Sequence, residues 1–178
     1  MSKPAAMILE TSRLRLRPMR LADAASLHAL MSDARVMAFW DIAEVQDIEL
    51  TTAILKSQLR QMTQKRAIYW AMETRAENRF IGCCDLAEID RWHHRAEVGF
   101  MVARPYWGDG YTQEAMWAVI DHAAQAQRLK RLTARTHLGN VRSVRLLRRL
   151  GFQQEGLLRG YVDREGERRD CLLFGLLL

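Results

Sequence analysis

The feature that most constrains this chain is a strand-like segment that runs into a proline and then into a glycine-rich turn. Val98, Phe100 and Val102 alternate with other residues, and this period of two with β-branched and aromatic side chains is typical of a strand. Pro105 has no N–H to donate to a ladder, so the strand is expected to end by Arg104. A helical pattern begins at about residue 111, which leaves a short loop between strand and helix.

This short loop is predicted to bind a pyrophosphate. Gly108 and Gly110 lack a Cβ, so the backbone can expose successive N–H groups there. The following helix turns the positive end of its dipole toward the same place. Together these features indicate an anion site between residues 107 and 112.

Length and composition indicate one domain, residues 1–178. A chain of 178 residues is close to the length of one typical domain and buries about 70% of the surface of its unfolded state. Hydrophobic residues make up 49% and charged residues 27%, as in an ordinary globular protein. No apolar run approaches the roughly 18 residues of a membrane span, and residues 1–7 lack the apolar core of an export signal. We therefore expect a cytoplasmic location.

Cysteines and histidines give no metal signature. Cys83, Cys84 and Cys171 are odd in number and lack metal-ligand spacing, so we expect them to pack in the core. His93 and His94 are adjacent, and adjacent residues on a strand point to opposite faces. No carboxylate or thiol pattern completes a ligand set around them, so no metal is expected.

Positive charge is concentrated in the C-terminal third. The formal net charge is +6, and residues 128–178 carry 12 Lys or Arg against 5 Asp or Glu. A nucleic acid is a candidate partner, but no aromatic residues alternate with the arginines of this region. A solvated basic face or a phosphate-bearing cofactor is favoured instead. The arginines concerned are Arg142, Arg145, Arg148 and Arg149.

Periodicity predicts an α/β chain without repeats or linkers. The predicted strands are residues 14–17 (ended by Pro18), 68–74, 80–89, 96–102, 132–136, 156–162 and 168–177. The predicted helices are residues 21–31, 45–62, 111–125 and a last one through residue 150.

The last of these helices has its own start and stop signals. Asn140 is a good N-cap, and Gly151 stands where a helix ends. If the strands before this helix and before the helix at 111 are parallel neighbours, both helix N-termini face one crevice, where α/β folds bind ligands. We expect a single cofactor cleft there.

Four motifs follow one another along nearly the whole chain. They are LETSRLRLR at 9–17, AEVGF at 96–100, YWGDGYTQEA at 106–115, and NVRS at 140–143 leading to LGF at 150–152. Each motif alone is weak evidence for any family, but the four motifs in this order are a specific signal. The chain resembles the GNAT superfamily of N-acetyltransferases, and specifically its RimJ/RimL branch, which acetylates protein N-termini.

The resemblance implies a GNAT fold and acetyl-CoA as cosubstrate. This fold is a mixed, mostly antiparallel twisted sheet of about seven strands, flanked by helices and splayed after the fourth strand, which holds Glu97; the pantetheine arm lies in the gap. The superfamily's pyrophosphate motif falls on residues 107–112 with two departures, Trp107 and Thr112, and Thr112 adds bulk where a phosphate approaches. The residues assigned to acetyl-CoA are Phe100, Met101, Val102, Trp107, Gly108, Asp109, Gly110, Tyr111, Thr112, Asn140 and Ser143.

Glu97 matches the acidic position that serves as the base in some members of the superfamily. Amino groups have pKa values near 8 to 10, so a base that removes a proton helps at neutral pH. The Glu97 carboxylate is expected to act through a water. The alternative is a structural ion pair with Arg95 or Arg135.

The resemblance also assigns the other two catalytic tasks. The oxyanion donor is the backbone N–H of Met101 or Val102. The tyrosine that many relatives use to protonate the departing thiolate is here Leu147, so Ser143 is the substitute, relaying a proton or hydrogen-bonding sulfur. Asn140 is assigned to the pantetheine amides. Helix capping alone is the other interpretation of Asn140 and Ser143.

The acceptor is least determined by sequence. Trp40, Tyr69, Trp92 and Tyr161 lie near the segments that build acceptor pockets, but each is equally a core or interface residue. The branch favours the α-amino group of a ribosomal protein or other peptide; amino acids, polyamines and drug-like amines stay open. A non-catalytic acetyl-CoA-binding module and a ribosome- or nucleic-acid-associated protein are the other function classes. The apolar C-terminal strand leaves a homodimer open.

Overall fold

The computed structural model describes residues 7–178. The helices are α1 (Ala24–Met31), α2 (Ala34–Met37), α3 (Ile48–Thr63), α4 (Tyr111–Gln125) and α5 (Val141–Arg149). The strands are β1 (Leu9–Glu10), β2 (Leu14–Pro18), β3 (Ile68–Thr74), β4 (Phe80–Asp90), β5 (Arg95–Val102), β6 (Arg131–His137), β7 (Gln153–Arg164) and β8 (Glu167–Leu177). The prediction that residues 1–7 form no export signal concerns mostly residues 1–6, which lie outside the described residues.

All strands form one sheet in the order β1-β2-β3-β4-β5-β6-β8-β7. Every neighbouring pair is antiparallel except β5 and β6, which α4 connects as a parallel crossover. The predicted mixed, mostly antiparallel sheet is confirmed. The sheet has eight strands where about seven were expected, because Leu9 and Glu10 add a two-residue strand that is too short to give a periodic pattern. The splay consequently follows the fifth strand instead of the fourth.

The splay is visible in the register of β5. β5 pairs with β6 only at Arg95, Ala96 and Glu97, whereas its pairing with β4 continues to Val102. Beyond Glu97 the two parallel strands therefore separate. This opening, between the C-terminal halves of β5 and β6, is called the gap below.

Two cores cover the two faces of the sheet. Val98 and Val102 face one core, which α4 and α5 complete, and the indole of Trp70 is fully buried at its centre. Met101 and Ala71 face the other core, which the helices α1 to α3 cover. Because side chains alternate along a strand, the side chain of Glu97 shares the face of Met101.

Helix boundaries differ from the sequence prediction where polar residues intervene. The helix predicted at 21–31 begins as a 3₁₀ turn, Leu21–Asp23, because the Asp23 carboxylate accepts a hydrogen bond from the Arg20 backbone N–H at 2.8 Å. The helix predicted at 45–62 begins at Ile48, because Asp47 caps it. The one-turn helix α2, capped by Asp33, is too short for periodicity to predict.

His93 and His94 lie outside the strands, in the interval between the strands predicted at 80–89 and 96–102. Both belong to the turn between β4 and β5, where His94 has a φ of 51° and the Asp90 carboxylate accepts the His93 backbone N–H at 3.0 Å. Within residues 7–178 no three His, Cys, Asp or Glu residues are grouped so that they could hold a metal ion.

The remaining predictions about burial are confirmed. Cys84 and Cys171 are buried, and Cys83 packs against the core under α1 to α3. The four arginines of α5 form an exposed basic face. β8 is a largely buried strand between β6 and β7, although the side chain of Leu177 is exposed. In the described part of the chain no helix has the length and apolar character needed to cross a membrane.

Candidate functional site

The loop after β5 has the backbone geometry that an anion site needs. Gly108 and Gly110 have φ values of 92° and 81°, in the left-handed region that side chains disfavour, and no atom lies within 4 Å of the Cβ position at Gly108. Gly110 is the N-cap of α4 and supplies no side-chain cap. The first N–H groups of α4, starting at Tyr111, are thus left without a capping side chain beside an open loop.

Trp107 joins this loop to the end of β5. Its indole nitrogen donates a hydrogen bond of 2.7 Å to the carbonyl of Val102. The guanidinium of Arg142, in the first turn of α5, lies 4.5 Å from the centre of the indole ring. Trp107, a departure from the superfamily motif, therefore connects both strand-to-helix junctions of the crevice.

Glu114 fixes the other side of the loop to the start of the chain. Its carboxylate accepts hydrogen bonds from the Thr11 hydroxyl and the Arg13 backbone N–H, and it pairs with the Arg13 guanidinium at 2.6 Å. Burial alone would raise the pKa of Glu114, but these hydrogen bonds lower it to about 2. Arg13 also donates to the Asp109 carbonyl at 3.0 Å, so two predicted motifs meet here.

The edge of β5 that faces the gap exposes backbone N–H groups. The Ala103 N–H donates to the Ile81 carbonyl of β4 at 2.8 Å, and this bond fixes the alternation along the strand. The N–H of Met101 consequently faces β4, and the N–H groups of Phe100 and Val102 face the gap. Of the two oxyanion donors left open by the sequence, only Val102 directs its N–H into the gap.

The gap contains a cleft of about 140 Å³. Four of the predicted site residues line it: Glu97, Phe100, Asn140 and Ser143. The side chains of Met101 and Val102 are buried in the two cores, as expected if only their main chain takes part. The loop residues 107–112 lie outside the lining of the cleft. A wider depression of about 550 Å³, near the Arg104–Asp33 ion pair, contains none of these site residues.

Glu97 forms the ion pair that the sequence left open, and its surroundings are also compatible with the expected base. Its carboxylate is partly buried and pairs with the Nε of Arg135 at 3.1 Å, whereas Arg95 pairs with Asp90. Burial raises the pKa of Glu97 above its usual value, and this outweighs the opposite effect of Arg135. The charges of Glu88 and Asp41 raise it further. The ion pair therefore coexists with a carboxyl group that retains a raised proton affinity.

The start of α5 separates the two interpretations of Asn140 and Ser143. The side-chain oxygen of Asn140 accepts the backbone N–H of Ser143 at 3.2 Å, so Asn140 is the cap. Ser143 contributes only its main chain to this cap, and its hydroxyl has no hydrogen-bond partner within residues 7–178. Leu147, one turn later, is buried against the same cleft and fills the position of the absent tyrosine.

Sequence reasoning named Arg135 as a possible partner of Glu97 but missed Asp41 and His137, which line the same cleft. The Asp41 carboxylate accepts a hydrogen bond from His137 Nε2 at 2.9 Å and lies 3.5 Å from the Arg135 guanidinium. His137 lies two positions after Arg135 at the end of β6, at the edge of the crevice, and this placement could have indicated it. Asp41 lies in an irregular loop and gives no signal in the sequence.

Arg164 holds that loop in place from the β7–β8 hairpin. Its guanidinium is almost completely buried and donates to the carbonyls of Met37, Ala38 and Trp40 at 2.8, 3.1 and 3.3 Å. It also lies 3.7 Å from the carboxylate of Glu44. The loop thereby brings Trp40 and Asp41 against the cleft.

Two of the four candidate acceptor aromatics are at the cleft. Trp40 lines it, and Tyr161 lies at its rim with its ring 4.9 Å from the Arg135 guanidinium. Tyr69 lies on β3 outside the lining, and its hydroxyl donates to Gln61 at 3.1 Å. Trp92 is 86% exposed in the β4–β5 turn and is not part of the cleft.

A gap between parallel strands, next to a glycine turn and a helix N-terminus without a side-chain cap, suits a phosphate-bearing acyl carrier. A family model described as an acetyltransferase (GNAT) domain matches residues 13–153. The chain belongs to this family and is an N-acetyltransferase. Acetyltransferases of this family use acetyl-CoA.

Relatives of the chain act on different amines. It is 32% identical over 169 residues to the N-acetyltransferase p20 of Bacillus licheniformis, covering 95% of each protein. It is 31% identical over 114 residues to the [ribosomal protein uS5]-alanine N-acetyltransferase of Escherichia coli, covering 64% of this chain and 59% of the relative. With the spermidine N(1)-acetyltransferase of Escherichia coli the identity is 23% over 159 residues, covering 89% and 83%.

Solved structures agree with the fold. The ribosomal L7/L12 α-N-protein acetyltransferase RimL, solved in complex with coenzyme A, matches with a TM-score of 0.88 at 19% identity. The match covers 96% of this chain and 98% of RimL. Homologues and structural neighbours thus include the RimL/RimJ branch that the four motifs resemble.

Proposed function

We propose that this N-acetyltransferase transfers the acetyl group of acetyl-CoA directly to the α-amino group of a protein or peptide, of the ribosomal-protein type, in the cytoplasm. The observation that carries the proposal is the shared cleft at the β5–β6 gap. The base candidate Glu97, the N-cap Asn140 and the free hydroxyl of Ser143 all line it, and the Val102 N–H faces the gap from the same edge of β5.

The described residues fit the pyrophosphate and the pantetheine arm of acetyl-CoA. The open glycine loop and the uncapped N–H groups of α4, from Gly108 to Thr112, suit the pyrophosphate, with the Arg142 guanidinium nearby. The unpaired edge of β5 suits the pantetheine amides. The side-chain NH₂ of Asn140 suits them as well, because only the side-chain oxygen of Asn140 is used to cap α5. Acetyl-CoA supplies the thioester that makes the acetyl carbon electrophilic.

Each residue of the cleft then has a chemical task. Glu97 accepts a proton from the acceptor ammonium through a water, because only the neutral amine is a nucleophile. As the C–N bond forms, the Val102 N–H donates to the oxygen that gains negative charge, a contact worth about 3 kcal/mol in comparable sites. When the C–S bond breaks, the proton that the attacking nitrogen loses passes to the departing sulfur, which the Ser143 hydroxyl hydrogen-bonds and Leu147 surrounds with apolar contact.

A small polyamine is the second candidate acceptor. The carboxylates of Asp41 and Glu97 lie near one another at the cleft, paired with the single guanidinium of Arg135, and this negative surplus suits a cation with several amines. The similarity to a spermidine acetyltransferase points in the same direction.

A panel of amines tests the acceptor class. Release of free thiol from acetyl-CoA is measured with peptides that copy ribosomal-protein N-termini, with spermidine and with free amino acids; the same peptides with a blocked N-terminus are the matched controls. We expect the highest kcat/KM with peptides that have a free N-terminus, and no activity above background with the blocked peptides.

Other results would point to other functions. Preference for spermidine would replace the peptide proposal, and calorimetric binding of acetyl-CoA without any turnover would identify a binding module instead. Salt-sensitive RNA binding would support the nucleic-acid class.

A further inference from the structure

A second carboxyl group lies beside Glu97 and has no role in the reaction described above. Asp85 lies on β4 directly opposite Gly99 of β5. A Cβ at position 99 would lie 2.7 Å from one Asp85 oxygen and 3.0 Å from the other, so the carboxyl group occupies the space that a side chain would fill. A glycine at position 99 is therefore what lets the Asp85 carboxyl rest on the β5 backbone.

Asp85 and Glu97 belong to the same face of the sheet. Gly99 is two residues from Glu97 on β5, so the two carboxyl-bearing positions are diagonal cross-strand neighbours, which lie about 7 to 8 Å apart at their backbones. Gly99 also precedes Phe100 and Met101, at the section of β5 whose other edge faces the gap. Asp85 thus lies next to Glu97 but on β4, the strand on the far side of β5 from the gap, and it does not line the cleft.

The surroundings of Asp85 contain no compensating cation. Within residues 7–178, Asp85 forms no ion pair, unlike Glu97 with Arg135. The titratable groups that face it are the Tyr69 hydroxyl on β3, the Cys83 thiol on β4 and Glu97 on β5. From the helical layer on this face, Gln61 of α3 reaches the Tyr69 hydroxyl and brings no charge. Burial and the charge of Glu97 raise the pKa of Asp85 to about 7.

We propose that Asp85 is a positioning residue for acetyl transfer, whose carboxyl group, seated on Gly99 behind Glu97, controls how strongly Glu97 holds a proton. The proposal rests on the proposed function, in which Glu97 is the base. Two like carboxyl groups this close titrate as a coupled pair. Glu97 is a weaker base while Asp85 is protonated than after Asp85 has lost its proton. Loss of the Asp85 proton places a second negative charge beside Glu97, which strengthens it as a proton acceptor.

The pH dependence of Asp85→Asn measures this coupling. As the pH is raised from the acidic side, kcat/KM of the wild type is expected to rise in two steps, one for each ionisation of the coupled pair. The second step is expected near pH 7, where Asp85 loses its proton. Asn has the same shape but cannot ionise, so the variant should show one step, at lower pH. Its plateau should fall about threefold to tenfold, because a weaker base accepts the substrate proton less readily. KM for acetyl-CoA should not change.

Glu88→Gln is the matched control. Glu88 also carries a negative charge that raises the pKa of Glu97, but it is exposed and water and salt screen it. This variant should keep both steps. If Asp85→Asn keeps both steps as well, or lowers the rate uniformly without moving the profile, Asp85 has only a structural part and the proposal is overturned.

Carboxyl ¹³C NMR of the free wild-type protein tests the same claim without turnover or a variant. Asp85 and Glu97 should titrate together, each with two inflections, and the larger inflection of Asp85 should lie near pH 7. An Asp85 that titrates near 4 with one inflection refutes the coupling even in an active enzyme. Coupled titration in a protein that acetylates no amine would instead refute the proposed function and leave the coupled pair standing.

Discussion

The indole N–H of Trp107 donates to the carbonyl of Val102, the residue whose own N–H faces the gap. Val102 thus accepts a hydrogen bond from the glycine loop on its carbonyl and directs its N–H into the gap, where the proposed reaction places the acetyl group. The Trp107 side chain therefore links the proposed pyrophosphate loop to the proposed oxyanion donor. Arg142, stacked on the same indole, extends this connection to α5.

Trp107→Phe should weaken acetyl-CoA binding more than it slows the chemistry. Phenylalanine keeps an aromatic ring under Arg142 but cannot donate to Val102, so the loop loses one hydrogen bond worth about 1 kcal/mol. We expect the Kd for acetyl-CoA, measured by calorimetry, to rise about fivefold. Tyr106→Phe, in the adjacent turn, is the control and should bind normally. An unchanged Kd in Trp107→Phe would contradict the inference that the hydrogen bond from Trp107 to Val102 stabilises the loop for acetyl-CoA binding.

Glu97→Gln should remove the base while keeping the contact with Arg135, because the amide oxygen can still accept from the Arg135 Nε. The raised pKa of Glu97 means that wild-type activity is lost as the pH falls through that value and is present above it. The variant should lose about 100-fold in kcat/KM at neutral pH. Its residual activity should rise with pH toward the pKa of the amine itself. If kcat/KM is unchanged across the pH range, Glu97 is not the base.

Ser143→Ala separates a role in catalysis from a role in the helix. Asn140, not Ser143, caps α5, and the Ser143 main chain that it binds is retained in alanine. The melting temperature should therefore stay constant, whereas Asn140→Ala should lose about 1 kcal/mol of stability. We expect kcat of Ser143→Ala to fall about fivefold with KM for acetyl-CoA unchanged, as for loss of one hydrogen bond to the sulfur. A decrease of less than twofold would remove Ser143 from the mechanism.

The sequence predicted those parts of the site that follow from local pattern. The strand with Glu97, the glycine turn after it and the Asn140 cap are each determined within about a dozen residues, and their bounds agree closely with the structure. The parallel neighbourhood of β5 and β6, which brings the two helix N-termini together, was an expectation from topology that the sheet confirms.

The rest of the site depends on contacts between distant segments. Asp41 reaches His137 across 96 positions of the chain, and its loop is held by Arg164 from a hairpin more than a hundred residues away. Neither contact produces a periodic or spaced pattern. The choice between Met101 and Val102 likewise needed the register of β4 against β5, because both N–H groups look alike in the sequence.

Glu114→Gln should show how the start of the chain supports the cofactor loop. The hydrogen bonds from Thr11 and Arg13 favour the ionised carboxylate and, against the effect of burial, lower its pKa from the usual 4.5 to about 2. A depressed pKa stabilises the folded state above pH 4.5, and this stability is lost as the pH falls toward 2. Glutamine cannot ionise, so the variant should lose up to about 3 kcal/mol of unfolding free energy at neutral pH.

Urea titrations at several pH values measure this loss. The difference in unfolding free energy between Glu114→Gln and the wild type should shrink between pH 4.5 and 2. The control Glu10→Gln, at an exposed position on β1, should follow the wild type throughout. A deficit that is constant with pH would mean that Glu114 contributes packing and neutral hydrogen bonds instead of charge.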